Sequence, residues 1–145
     1  MATKEKAYGI CLYKKSAHST KILLCKSVHS KTKWGFLKGG RDQSENKAET
    51  AVREFFEESS IEVEIKYLEK YFVQINPKKD IGIYLVNYNK IKDIDNYFEN
   101  EKLHKHCLSW ENTKVEFFDI TKIPKIKKKQ YKIMNSIIQH FKKVN

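Results

Sequence analysis

Glu54, Glu57 and Glu58 stand three and four positions apart within GGRDQSENKAETAVREFFEESSI, residues 39 to 61. On a helix these spacings put all three carboxylates on one face, where like charges repel by about a few tenths of a kcal/mol per pair. The surrounding chain carries a formal net charge of +11. A divalent cation would relieve the crowding, because hard cations such as magnesium take oxygen ligands and bridge carboxylates to substrate phosphates. Gly39 and Gly40 precede the helix and let backbone carbonyls approach the same ion, since no Cβ intervenes. Arg53 lies four residues before Glu57 and four after Glu49, so it can brace the acidic face. Without a metal, the same residues read as a solvated helix face held by Arg53, Lys47 and water.

The elements that must position these groups follow from hydrophobic pattern. AYGICLY (7–13) and KILLCKSV (21–28) read as two strands of a hairpin, with KKSAHST as the turn. KWGFLKGG (33–40) reads as a short strand entering a loop. Ser44 is the expected N-cap of a helix whose buried stripe is Ala48, Ala51, Val52 and Phe55. Alternation over 61–75 suggests one or two strands, IGIYLVNY (81–88) another and KVEFFDI (114–120) the last. DIDNYFENEKLHKHC (93–107) is charged and irregular, a short helix or loop. A final helix is expected over about 124–143, starting near Pro124, with Tyr131, Met134, Ile138 and Phe141 as its buried stripe.

Composition bounds the class. A length of 145 residues suits one domain over 1–145, able to bury a core without disulfides or structural metal. No apolar run approaches the ~20 residues of a bilayer span, and MATKEKAYGI lacks a secretory signal. The expected location is the cytoplasm, or the host cytoplasm were the chain viral, with no membrane partner. Cys11, Cys25 and Cys107 form no CxxC pair and read as reduced thiols. His104, His106 and Cys107 in HKHC lack a fourth ligand and make a weak zinc signal. Lysines outnumber arginines 27 to two, giving diffuse positive potential suited to a polyanion, although coding bias toward lysine would give the same composition. From Lys122 onward there are eight lysines and no acid. These are either a solvated helix face or a surface for nucleic-acid phosphates.

The longer spacing is more specific. Gly39, then Glu45, then Arg53-Glu54, Glu57-Glu58 and Ile61 match every charged position of a 23-residue pattern. The stretch resembles the signature of the Nudix hydrolases. Phe55 stands where the pattern has an aliphatic residue, and Ser60 where it has the glycine that ends the helix in a left-handed conformation. The resemblance implies an α/β (α+β) Nudix fold, a mixed β-sheet sandwiched between helices. It also implies metal-dependent hydrolysis of nucleoside diphosphate linkages with Mg2+ or Mn2+ as cofactor. By matched position, Gly39, Glu54, Glu57 and Glu58 would hold metal, Glu54 being an alternative general base. Arg53 and Glu45 would support the site, and Lys38 would meet a phosphate.

WGFLKG (34–39) and ENTKVEFFDITKIP (111–124) resemble segments of the mRNA-decapping members of that family, with Leu37 in place of a proline. That likeness makes Glu111 an additional metal ligand or general base, with Glu116 as the fallback. It makes Lys127, Lys128, Lys129 and Lys132 candidates for RNA binding. Trp34, Tyr71, Phe72 and Trp110 are candidates for base stacking. Decapping of mRNA is the first expectation for function. A small-molecule diphosphatase acting on dinucleoside polyphosphates or diphosphoinositol polyphosphates is the alternative, and a silent RNA-binding module the third. RNA or a nucleotide polyphosphate is thus the expected partner.

Overall fold

The computed structural model describes residues 4–143. Its centre is strand β1 (Glu5–Lys15), whose residues Ala7–Tyr13 are all buried. A strand covered on both faces reads as a continuous apolar run rather than an alternation, which is why AYGICLY shows no period of two. Tyr8, Ile10 and Leu12 enter one core with Ala51 and Phe55 of helix α1 (Lys47–Ser59). Cys11 and Tyr13 enter a second core with Ile133, Met134, Ile137 and Phe141 of helix α2 (Tyr131–Lys143). The sheet is therefore the middle layer between two helices.

Around β1 lie β2 (Thr20–Ser27), β3 (Leu37–Gly40), β4 (Tyr71–Gln74), β5 (Lys79–Asn87), β6 (Phe98–Glu99), β7 (Lys102–Leu103) and β8 (Asn112–Asp119). Their order is β4-β5-β1-β2-β8-β7-β6, with β3 paired to β1 on the edge that β2 also uses. The β1–β5 pair is parallel and the other ladders are antiparallel, so the sheet is mixed. In the β1–β3 ladder Tyr8 faces Gly39 and Ala7 faces Gly40, which anchors the start of the acidic stretch to the centre of the molecule.

Several expectations are corrected. The N-cap of α1 is Asn46, not Ser44: Asn46 Oδ1 accepts from Glu49 N at 2.9 Å and Glu49 Oε1 accepts from Asn46 N at 2.9 Å. This reciprocal capping box satisfies two groups at once, whereas Ser44 turns back to Asp42 Oδ1. Glu49, occupied in that box, makes no ion pair with Arg53 among the described residues. Over 61–75, where one or two strands were expected, one forms, β4. Ile61 and Val63 are buried without ladder partners, and Ile65–Tyr67 is a 3-10 turn. Residues 93–107 hold the β6–β7 hairpin and two 3-10 turns; Asn100 and Glu101 both have positive φ, as a tight two-residue turn requires.

The last helix begins at Tyr131, seven residues after Pro124. Ile126 is 5% exposed and bridges Trp34 in parallel, with Trp34 N donating to Lys125 O at 2.8 Å and Lys127 N to Trp34 O at 3.0 Å. That pairing holds the connector extended where a helix was expected. The buried stripe is accordingly Ile133, Met134, Ile137 and Phe141, while Tyr131 is exposed and Ile138 half-buried. Gln74 Oε1 of β4 accepts from Lys132 N at 2.9 Å and Ile133 N at 3.2 Å, capping α2 from another element. Gln74→Ala leaves those two N–H groups without their acceptor and should destabilise the fold by about 1–2 kcal/mol, read from denaturant unfolding.

Candidate active site

Arg53 gathers the acidic stretch. Its Nε donates to Glu45 Oε2 at 2.6 Å and its Nη2 to Glu45 Oε1 at 3.0 Å, a two-pronged pairing. Nη2 also donates to Gly40 O at 2.9 Å, while Nη1 reaches Glu54 Oε1 at 3.0 Å and Glu57 Oε1 at 3.1 Å. Thr50 Oγ1 adds a bond to Glu45 Oε1 at 3.0 Å. The Arg53 bond, with help from the Asp42 amide and Thr50, holds the Glu45 carboxyl down at about 2. Glu45 therefore stays ionised and fixes Arg53, which in turn orients Glu54 and Glu57.

Gly39 has a steric reason to be glycine. A Cβ there would overlap the Glu54 carboxylate, which lies directly against the backbone. Burial, then the charge of Glu57, raises the Glu54 carboxyl above its ordinary value despite its bond to Arg53.

Glu58 is the buried member of the cluster, only 7% exposed. Its Oε1 accepts from Asn112 Nδ2 at 3.1 Å, while its Oε2 is buried with no hydrogen-bond partner. Burial pushes this carboxyl up to about 8, with Glu54 and Glu111 adding to the rise and Asn112 and Lys38 opposing it. Glu58 opens on a cleft of about 330 Å³, which Lys38, Glu111, Asn112, Trp110 and Lys127 also line. Gln130 closes the floor: its Oε1 accepts from Phe36 N at 2.8 Å, and its amide fills the space that a side chain on Gly35 would need. Lys38 is half-buried, and its ammonium is pulled below its ordinary value by burial and then by Lys79 and Lys127.

The residues singled out from sequence thus divide. Glu58, Glu111, Lys38 and Lys127 share the cleft; Glu54, Glu57 and Glu45 lie beside it on Arg53. Lys128 and Lys129 are exposed in the turn before α2 and Lys132 is exposed on its first turn; none of the three lines the cleft. Trp34 is a core residue rather than a stacking surface, 9% exposed and edge-on to Phe118 at 4.7 Å. Tyr71 packs tilted against Tyr84 and Phe72 edge-on to His140, and neither Tyr71 nor Phe72 lines the cleft. Trp110, 81% exposed at the cleft mouth, is the aromatic ring available to a ligand there. Glu116 lies in a different groove, between β7 and β8. His104 and His106 stack on each other, with Cys107 buried beside them.

Sequence reasoning missed Asn112 and Gln130. Asn112 adjoins Glu111, but nothing in its type or spacing signals a bond to Glu58. Ser60 is resolved by geometry: it caps α1 at φ 67°, and its Oγ donates to Cys107 O at 3.1 Å, an attachment glycine could not make.

The donor set is all oxygen: the Gly39 carbonyl and the carboxylates of Glu54, Glu57, Glu58 and Glu111. Together with the orphaned Glu58 Oε2, it fits a hard divalent cation. Among the described residues no three His, Cys, Asp or Glu side chains already converge closely enough to hold one. Glu57 instead faces Arg53, so it would have to turn.

The NUDIX domain family model matches residues 3–141, and the chain belongs to that family. It is a Nudix hydrolase, acting on phosphoanhydride bonds, and enzymes of this family generally use divalent metals such as Mg2+ or Mn2+. Among solved structures the chain is similar to a C. elegans Ap4A hydrolase in a binary complex, with 21% identity and a TM-score of 0.65 over 97% of this chain and 96% of that one. It is similar also to the NUDIX domain of Shewanella oneidensis NrtR complexed with ADP ribose, at 11% identity and a TM-score of 0.67, covering 97% and 90%. A Nitrosomonas europaea NUDIX hydrolase aligns at 21% identity and a TM-score of 0.61, covering 86% and 62%. Comparison with curated protein sequences gives no match.

The Glu58 environment makes a pH prediction. Unfolded, the carboxyl titrates near 4.5; folded, it titrates at about 8. Between these values the folded state keeps a proton that the unfolded state has released, so stability falls as pH rises through the window. Metal-free Glu58→Gln should lose this decline, and its advantage over the parent in urea unfolding should widen from pH 5 to pH 8.

Proposed function

We propose that this chain hydrolyses small nucleotide polyphosphates, with dinucleoside polyphosphates as the favoured class. The observation that carries the reading is the composition of one cleft: buried Glu58 and exposed Glu111 line it together with Lys38 and Lys127, with exposed Trp110 at the mouth. Carboxylates and ammoniums on one small surface suit a phosphate chain with its cation. An exposed indole suits a nucleobase, whose stacking contributes about 1–3 kcal/mol. The similarity to an Ap4A hydrolase and to a NUDIX domain holding ADP ribose supports this substrate size over capped RNA.

The Gly39 carbonyl, Glu54, Glu57 and Glu58 would hold Mg2+ or Mn2+. When bound, such a cation neutralises phosphate charge and activates water. Lys38 and Lys127 hold the phosphates. Glu54 is already bonded to Arg53, whereas Glu111 is exposed at the cleft and has no ion pair among the described residues. Glu111 is therefore the better general base.

Capped RNA is a second reading, supported by Lys127, Lys128 and Lys129, which lead from the cleft to the surface. It requires RNA affinity to fall steeply with salt, and the slope to shrink when those three lysines are neutralised. The deciding experiment is product analysis on dinucleoside tetraphosphate, ADP ribose, diphosphoinositol polyphosphate and capped RNA, with Mg2+ and with Mn2+. Dinucleoside tetraphosphate should show the highest kcat/KM; faster turnover of capped RNA overturns the proposal. Glu57→Gln should lower turnover by about a hundredfold or more with an unchanged circular dichroism spectrum. Undiminished activity in that variant removes the site assignment.

A further inference from the structure

Beside the acidic cluster, a groove of about 560 Å³ is lined by Lys4, Lys6, Gly40, Arg41 and Lys79, with Glu5 as its acid. The strand ladder builds it. Glu5 of β1 faces Lys79 of β5, Ala7 faces Gly40 of β3, and Arg41 N donates to Lys6 O at 3.2 Å. Three strand ends thus bring four cations to one place. Its floor is tied to the candidate active site, because the Gly40 carbonyl accepts from Arg53 and Gly40 directly follows Gly39.

The acids present leave much of this charge unanswered. Asp80 takes Lys4 at 2.7 Å, and Glu5 approaches Lys79 only at 3.8 Å while remaining largely exposed. Lys6 makes no ion pair within 4.0 Å among the described residues, and Asp80, opposite it in the ladder, is bound to Lys4. Arg41 uses Nε on the Glu45 carbonyl at 2.7 Å, which fixes its fork and leaves its terminal nitrogens without a partner among the described residues. Asp42 is held in its own turn by Ser44, and Glu45 is bound to Arg53.

Strand β3 connects this groove to the cleft. Lys38, opposite Gly9 in the ladder, lines the cleft, and three residues on Arg41 lines the groove. Cations thus line both the cleft, through Lys127 and Lys38, and the groove, through Lys79, Lys6 and Arg41, with the Arg53-bound Gly40 between Lys38 and Arg41 in the chain. A phosphate chain is the ligand chemistry that fits cations so placed, since it repeats its negative charge along its length, and a forked guanidinium suits its oxygens.

We infer that the Lys6–Arg41–Lys79 groove is a distal phosphate subsite, which holds the outlying phosphates of a polyphosphate whose scissile bond lies at the acidic cluster. The inference rests on the small-nucleotide reading and adds to it a preference for substrates with more than two phosphates in line.

The experiment has two arms. In EDTA, binding of inorganic tripolyphosphate is measured by calorimetry for the parent, for Lys6→Glu with Lys79→Glu, and for Lys90→Glu with Lys92→Glu. The last pair removes the same charge from an exposed turn elsewhere. The groove variant should bind about tenfold more weakly and the control within about twofold, as expected for lost phosphate contacts. Equal weakening in both overturns the subsite, because general charge then suffices. In the kinetic arm, the groove variant should raise KM for dinucleoside tetraphosphate with little change in kcat, and leave ADP ribose unaffected. An equal rise for both substrates, or none for the tetraphosphate, overturns the inference. If the parent turns over neither nucleotide, the small-nucleotide reading fails, and the tripolyphosphate arm still decides the groove.

Discussion

The Arg53 guanidinium is the constraint on which the site depends. One cation meets Glu45, Glu54, Glu57 and the Gly40 carbonyl, so the loop after β3 and the first three turns of α1 are referred to a single planar group. A lysine could not reproduce this, since a point charge lacks the fork that grips Glu45 with two parallel bonds. In a chain of net charge +11, the long-range field favours carboxylates everywhere. The local repulsion among Glu54, Glu57 and Glu58 is a separate matter, and Arg53 relieves only the two on its side. Glu58 is left to burial, which raises its titration against the opposing bond from Asn112.

The cleft depends on a different contact, the bridge between Trp34 and Ile126. It draws the connector before α2 alongside the segment entering β3. As a result Lys127 and Gln130 face residues more than ninety positions earlier in the chain. Burial of Ile126 and the packing of Trp34 on Phe118 hold this arrangement. A lysine-rich stretch that composition alone would assign to solvent thus contributes one side chain to the cleft wall and a neighbouring amide to its floor.

The sequence made much of this legible, and the exceptions have physical causes. The strands around β1 and helix α1 follow from apolar patterning, which local burial largely determines, whereas the mixed sheet between helices was implied by the resemblance to the Nudix signature. The start of α2 was misjudged because Pro124 suits a first helical turn, and nothing nearby in sequence reveals that Ile126 pairs with Trp34. Ser44 resembled a cap as much as Asn46 did; the Glu49 three residues after Asn46 was the signal that distinguished them. The acidic cluster stood out because its members share one helix. Asn112, Gln130 and the fate of Trp34 did not, because each depends on contacts between distant segments. Aromatic type alone could not separate the buried Trp34 from the exposed Trp110.

Ser60 shows how a backbone requirement can be met in another way. The end of α1 needs a left-handed residue, a conformation that glycine enters without steric penalty. Here the hydroxyl at that position holds the carbonyl of Cys107. The chain has exchanged a conformational permission for a tether between the helix end and a loop 47 residues away. A family defined by that glycine as a letter would discard this sequence. Defined by the turn it serves, the family retains it, and a reader of related chains should look for polar side chains able to bond across the same gap.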